Sequence, residues 1–344
     1  MRRRPLLILG AVALLLVTGC APEPEPTATP TRSASPSPSP TAEPIVEPEV
    51  AFDVTCDDVA AELATVVGAP AGEIEQGLSL VSAPNWYPGP ARYAFSRASG
   101  IACSTGDDSR SWEVTIVPGA QAITEGAASR GGYQGEESRC EDNGRCFFQL
   151  IDGDVLVSGE VNEPAFRAAD APRIEEALRR LAASASASLR TVEVPPSEIA
   201  GAECTRFLTM DELSSALGGQ PVSIIDSFGG WGIPSEVYQV VNGSRICYYA
   251  SGESEYESQG YLALTTLPGG AWAFERIEGA TSVDVDGADA ALEGTDPFGR
   301  DVLDLQVGTD WIRLTDYEGS GIADLRSIAE QIVQNYTAGR PSPQ

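Results

Sequence analysis

At 344 residues the chain is long enough for two domains of ordinary size, and its 42% hydrophobic content is that of a globular protein. Its charge is unusual: 22 Lys+Arg against 50 Asp+Glu leave a net −28. Such a surface repels phosphate backbones and anionic headgroups, so neither nucleic acid nor a basic membrane-docking face is expected. Histidine is absent and every basic residue is arginine, which excludes Ser-His-Asp triads, Cys-His and Ser-Lys dyads, His-ligated zinc, Schiff bases and the P-loop lysine.

The chain opens with Arg2-Arg3-Arg4, an apolar run from Pro5 to Val17, and the small residues Thr18 and Gly19 before Cys20. Basic residues, a short apolar core and a small-residue end describe an export signal, and the run is short of the ~20 residues needed to span a bilayer. Val17-Thr18-Gly19-Cys20 resembles a bacterial lipobox. The resemblance implies cleavage of residues 1–19 as a signal peptide, a diacylglycerol thioether on the Cys20 sulfur and an acyl group such as palmitate on the new amino terminus. The protein would then sit on the extracytoplasmic face of the cell membrane, its one membrane contact the lipid on Cys20. Residues 20–50 are rich in Pro, Ser, Thr and Glu, too poor in apolar side chains to offset the entropy of ordering. They read as a tether in extended polyproline II, at ~3.1 Å per residue able to reach ~90 Å from the bilayer. An O-glycosylated stalk and an unmodified spacer fit this composition equally.

Beyond residue 50 the chain repeats itself. Cys56 opens a helical segment, expected over 57–67, with Val59, Ala60, Leu63, Val66 and Val67 on one face; Cys204 opens another, where Thr209-Met210-Asp211-Glu212 is a capping box. Trp86, Tyr93 and Cys103 then match Trp231, Tyr238 and Cys247 at nearly equal spacing. A strand ending in Pro118-Gly119 parallels one ending in Pro268-Gly269. Each half continues with a hairpin, turning at Asp152-Gly153 in the first and Gly308-Thr309 in the second. Each closes with an amphipathic helix: Ile174, Ala177, Leu178 and Leu181 behind Asp170 as N-cap, and Leu325, Ile328, Ala329, Ile332 and Tyr336. Val194-Pro195-Pro196-Ser197 marks a linker. The expected fold is therefore α+β: two tandem homologous domains, 51–190 and 201–338, joined by a linker at 191–200 and followed by a tail at 339–344, each an antiparallel sheet with helices packed on one face.

Seven cysteines suit an oxidising compartment, and with Cys20 assigned to lipid the remaining six are even in number. Six allow 15 pairings; the repeat selects Cys56 with Cys103 and Cys204 with Cys247, each tying a first helix to a first strand. Cys140 and Cys146 are left to clip each other, without a counterpart in the second half.

Cys204, a helix ending in Leu217-Gly218, and Cys247 on a strand together resemble the cysteine-paired domains of actinobacterial cell-envelope lipoproteins of unknown function. They are similar also to the extracytoplasmic sensor domains of some mycobacterial receptor kinases. The resemblance covers each half in outline and implies a disulfide-stapled α+β domain with a binding or sensing role; it transfers no catalytic residue.

Among candidate chemistries, Asp284, Asp286, Asp289 and Glu293 invite a calcium loop, but Ala288 stands where the third ligand belongs and Gly287 is out of register, so a solvated loop is expected. Glu253, Glu255 and Glu257 read as the exposed face of a strand beside Tyr256. A glycosidase needs two opposed carboxylates, and the sequence nominates no pair among 50 acids. The better binding candidates are the aromatic, glycine-rich loops around Trp86-Tyr87 and Phe228 to Trp231, since Trp buries much area with few rotamers to freeze. Because the Trp recurs in both halves, however, packing of each Trp under its own sheet is the favoured expectation, since a repeat keeps packing residues more readily than ligand contacts. The expectation is a non-catalytic, membrane-anchored binding or sensing module for an envelope protein or glycan, without cofactor or metal; the rival is a carboxylate-dependent cell-wall glycan hydrolase.

Overall fold

The computed structural model describes residues 45–338 except 81, 108, 227–230, 255–256 and 318. The expectations for the signal peptide, Cys20, the tether up to residue 44, Phe228, Glu255, Tyr256 and the tail lie outside the described residues.

In the first half α1 (Cys56–Ala64) begins where the Thr55 hydroxyl accepts the Asp58 N–H and the Asp58 carboxylate accepts the Thr55 N–H. This capping box satisfies two donors at the helix start and sets the helix one residue earlier than expected. The helix closes at Ala64, short of the expected residue 67, although Val67 remains buried beyond it. There follow β1 (Glu75–Gln76), 3-10 turns at Ala83–Trp86 and Pro90–Tyr93, α2 (Ala94–Arg97), β2 (Ile101–Gly106), β3 (Ser111–Pro118) and α3 (Ala120–Ser129). The half ends with β4 (Glu137–Cys140), the hairpin β5 (Arg145–Asp152) and β6 (Val155–Asn162), and α4 (Ala171–Ala187). Asp170 precedes α4, but its carboxylate accepts the Arg167 N–H of the preceding 3-10 turn and pairs with Arg173, so it caps that turn and not the helix.

The second half runs through α5 (Cys204–Phe207), α6 (Met210–Ala216) behind the expected Thr209–Glu212 capping box, β7 (Ser223–Ile225), and α7 (Ile233–Glu236) passing into a π-helical turn, Val237–Val241. Then come β8 (Ile246–Ala250), β9 (Gly260–Leu267), a 3-10 turn at Ala271–Arg276, β10 (Thr281–Ser282), β11 (Ala290–Thr295), β12 (Asp301–Val307), β13 (Asp310–Asp316) and α8 (Leu325–Ala338).

The fold is α+β with two antiparallel sheets of one topology. The first has order β1-β2-β3-β6-β5-β4 and the second β7-β8-β9-β13-β12-β11, with β10 added at its edge. Register agrees as well: Cys103 lies opposite Val114, and Cys247 opposite Leu264. At the strand ends Gly119 and Gly269 both hold positive φ, 85° and 66°, a conformation glycine adopts without steric cost. All three expected disulfides are present, Cys56–Cys103 and Cys204–Cys247 with Cα atoms 5.5 and 5.6 Å apart, and Cys140–Cys146 across directly paired residues of β4 and β5.

Each sheet buries one face under helices, α1 and α4 in the first half, α5, α6 and α8 in the second. The stripes expected on α4 and α8 are the faces that pack there. The other faces of both sheets share a third core, in which Phe95, Val117, Ile123 and Leu156 of the first half meet Val237, Tyr238, Leu267, Trp272 and Trp311 of the second. Helices α2, α3 and α7 fill this layer. Residues 45–50 lie along the fold, with Pro48 buried and Glu47 paired to Arg276 at 2.5 Å.

A candidate functional site between the two halves

A cleft enclosing about 1500 Å³ opens where the third core ends, with walls from both halves. The first half contributes the open end of β3, the edge at β2 and the loop from Leu78 to Tyr93; the second contributes residues 275–278, 295–297 and the start of β13. Eight carboxylates line it (Glu73, Glu75, Asp107, Glu113, Glu160, Glu275, Glu278, Asp296) against four arginines (Arg92, Arg145, Arg276, Arg313).

The arginines are committed. Arg92 pairs with Glu75 at 2.7 Å, Arg145 with Glu160 at 2.8 Å and Arg276 with Glu47. Arg313 grips Asp304 with two parallel bonds of 2.7 Å, Nε to Oδ1 and Nη2 to Oδ2, and donates Nη1 to the Pro88 carbonyl at 2.8 Å. Trp311 Nε1 donates to the same Asp304 oxygen at 2.7 Å. Asp304 and Arg313 face each other across β12 and β13, which places this buried fork beneath the first-half loop. Gly89 makes the approach possible: a Cβ there would fall 2.5 Å from the Arg313 guanidinium carbon.

Glu113 differs. It points from β3 to the cleft side of the sheet, its cross-strand neighbours being Ser104 and Glu160. The Ser79 N–H and the Ser82 hydroxyl each donate to one of its oxygens. Burial holds its carboxyl above the usual carboxylate range; the bonds from Ser82 and Ser79 pull the other way, and Glu160 pushes it further up. No arginine lies within ion-pairing distance of it among the described residues.

The aromatic candidates part company. Trp86 ends a 3-10 turn between the cleft-lining Asn85 and Pro88 without itself lining the cleft, and is 61% exposed; its carbonyl accepts from Arg300 Nη2 at 3.0 Å. Tyr87, its neighbour, turns inward onto Tyr248 and Tyr317 beneath Arg300, and burial pushes its phenol far up. Trp231 is half-buried on the opposite seam: its indole N–H donates to Glu236 Oε2 at 2.8 Å, and the Arg130 guanidinium lies 5.5 Å above its ring and bonds the same carboxylate. Tyr93 and Tyr238, matched by the repeat, both enter the third core, Tyr93 edge-on to Trp272 at 5.5 Å and Tyr238 through an OH donated to the Thr266 carbonyl at 2.6 Å.

Among the described residues no three Asp, Glu or Cys converge as a metal site. Asp289 accepts the Gly308 N–H at 2.6 Å and Glu293 pairs with Arg326 at 2.6 Å, so both hold the fold. Sequence reasoning missed Glu113 and Asn85. The available signal was repeat asymmetry: Glu113 opposes Ser104 where the second half sets Ala263 opposite Tyr248. No family model, curated protein or solved structure matches the chain.

Proposed function

We propose that the protein is a lipid-anchored, extracytoplasmic binding or sensing module of the cell envelope, whose ligand enters the cleft between the two halves. The observation that carries this reading is the cleft: it is walled by both repeats, and the loop that supplies Leu80, Asn85 and Pro88 to its lining also carries Trp86 at 61% exposure, although a large aromatic normally repays burial. The anchoring rests on the lipobox-like Val17-Thr18-Gly19-Cys20 and the tether that follows it. Among the described residues no helix is long and apolar enough to cross a membrane.

The test places a photo-crosslinking amino acid at Trp86 and, as a control, at exposed Met210 on the far side of the second sheet, in cells producing the full chain. A discrete adduct from position 86 and none from 210 is the expected result; identical adducts, or none, would remove the cleft as the binding site. Cys20→Ala is expected to release the protein or leave its precursor unprocessed, and unchanged processing and detergent partitioning would refute the anchor.

One observation favours a second reading. Glu113 and Glu160 sit side by side on β3 and β6, and a carboxyl held up by burial beside a second carboxylate is a pairing a glycan hydrolase uses. Glu160, however, is bound by Arg145 through Nε at 3.1 Å and Nη2 at 2.8 Å. Turnover of isolated wall glycan in the acid range, abolished by Glu113→Gln, would establish the hydrolase over the binding module.

A further inference from the structure

One wall of the cleft is an acceptor surface without a donor. Asn85 is fully buried, and its Nδ2 donates to the Leu78 carbonyl at 2.8 Å. That bond fixes the amide, because turning it over would set two oxygens against each other. Its Oδ1 is left with no partner, and a buried acceptor without a donor is a standing cost that a bound donor relieves. The same loop grips Glu113 of β3. Ser79 and Ser82 donate to its carboxylate, and the Asn85 N–H donates to the Ser82 carbonyl at 2.8 Å, so one turn of chain holds both acceptors. Both residues line the cleft.

Among the described residues no cation lining the cleft is free to sit there. Lysine and histidine are absent from the chain, and the four arginines of the cleft are each bound to another carboxylate. We propose, resting on the cleft as the ligand site, that Glu113 and Asn85 together seat the protonated amino group of an organic ligand. One ammonium N–H pairs with the Glu113 carboxylate and another is donated to Asn85 Oδ1. An ammonium suits the pair because it carries three donors and no acceptor. The body of the ligand lies toward Leu80, a large apolar side chain left exposed in the cleft lining, on the loop that also carries exposed Trp86.

The experiment uses the full chain in detergent and three probes of one shape: benzylamine, benzyl alcohol and benzoate, followed by ligand-observed NMR. Benzylamine is expected to bind, benzyl alcohol at least about tenfold more weakly, and benzoate not at all. Glu113→Gln is expected to weaken benzylamine about ten- to a hundredfold, the loss typical of a hydrogen bond to a charged group. Glu73→Gln, at another carboxylate of the same cleft, should leave binding unchanged. An equal loss with Glu73→Gln would reduce the effect to the general acidity of the surface and overturn the proposal. So would failure of benzylamine to bind. Equal binding of the three probes would overturn it too, while leaving the cleft as a ligand site; the crosslink from position 86 tests that reading independently. Disulfide mapping and the unfolding midpoint of each variant separate lost binding from lost fold.

Discussion

At the scale of single residues, Glu113 is where the fold gives up stability. Burial raises its folded-state pKa above the ordinary 4.5, so the native state holds the proton more tightly than the unfolded chain does. Stability is therefore greatest below the unfolded value and is lost as pH rises through the folded one. Glutamine cannot titrate. Relative to wild type, the Glu113→Gln variant should gain stability between about pH 4 and pH 7, whatever constant offset its altered hydrogen bonds introduce. Urea midpoints of both proteins at the two pH values measure this, and a difference that does not change with pH would refute it. An ionised carboxylate without a counter-cation is also what a cationic ligand would neutralise, which joins the pH behaviour to the proposed occupant.

At the scale of elements, the disulfides rank by the loops they close. Cys204–Cys247 spans 43 residues and Cys140–Cys146 only 6. In the chain-entropy account the first is worth about 4 kcal/mol and the second about 2 kcal/mol. The double change Cys204→Ala with Cys247→Ala should therefore cost about twice as much in denaturant stability as Cys140→Ala with Cys146→Ala; equal costs would show that the clip acts through native packing and not loop closure. The two long bridges, the hairpins and the Pro-Gly strand ends were legible in the sequence because the repeat states each of them twice, and the Cys140–Cys146 clip followed as the remaining pair. The third core was not named, although its trace is there. Val114-Thr115-Ile116-Val117 and Leu262-Ala263-Leu264 lack the alternation of a half-solvated strand, and β3 and β9 are indeed buried on both faces. Glu113 left only the asymmetry of the repeat as a trace: it joins Asn85 in a site only when the loop at 78–85 folds over β3 and the second half closes the cleft, and no local spacing records that.

At the scale of the whole molecule, the repeat makes two sheets but not two independent bodies. Phe95, Ile123 and Leu156 on one side and Tyr238, Leu267, Trp272 and Trp311 on the other are buried in one shared core. Polar ties cross the same seam. Buried Arg97 donates to the carbonyls of Pro195 and Pro268, Asn242 Nδ2 donates to the Ala94 carbonyl at 2.7 Å, and Arg313 reaches Pro88. Separated, each half would expose an apolar face of a size that soluble monomers rarely carry, and would leave these donors unpaired. Residues 45–196 and 197–338 produced as separate chains should therefore fail to unfold cooperatively and should bind a hydrophobic dye, while the intact chain unfolds in one transition. Within the intact chain, Arg313→Ala leaves Asp304 as an unpaired buried charge and should cost about 3–5 kcal/mol, lowering that single transition as a whole. Sharp, separate transitions from the two isolated halves would refute the shared core, and with it the rigid junction that gives the cleft its shape.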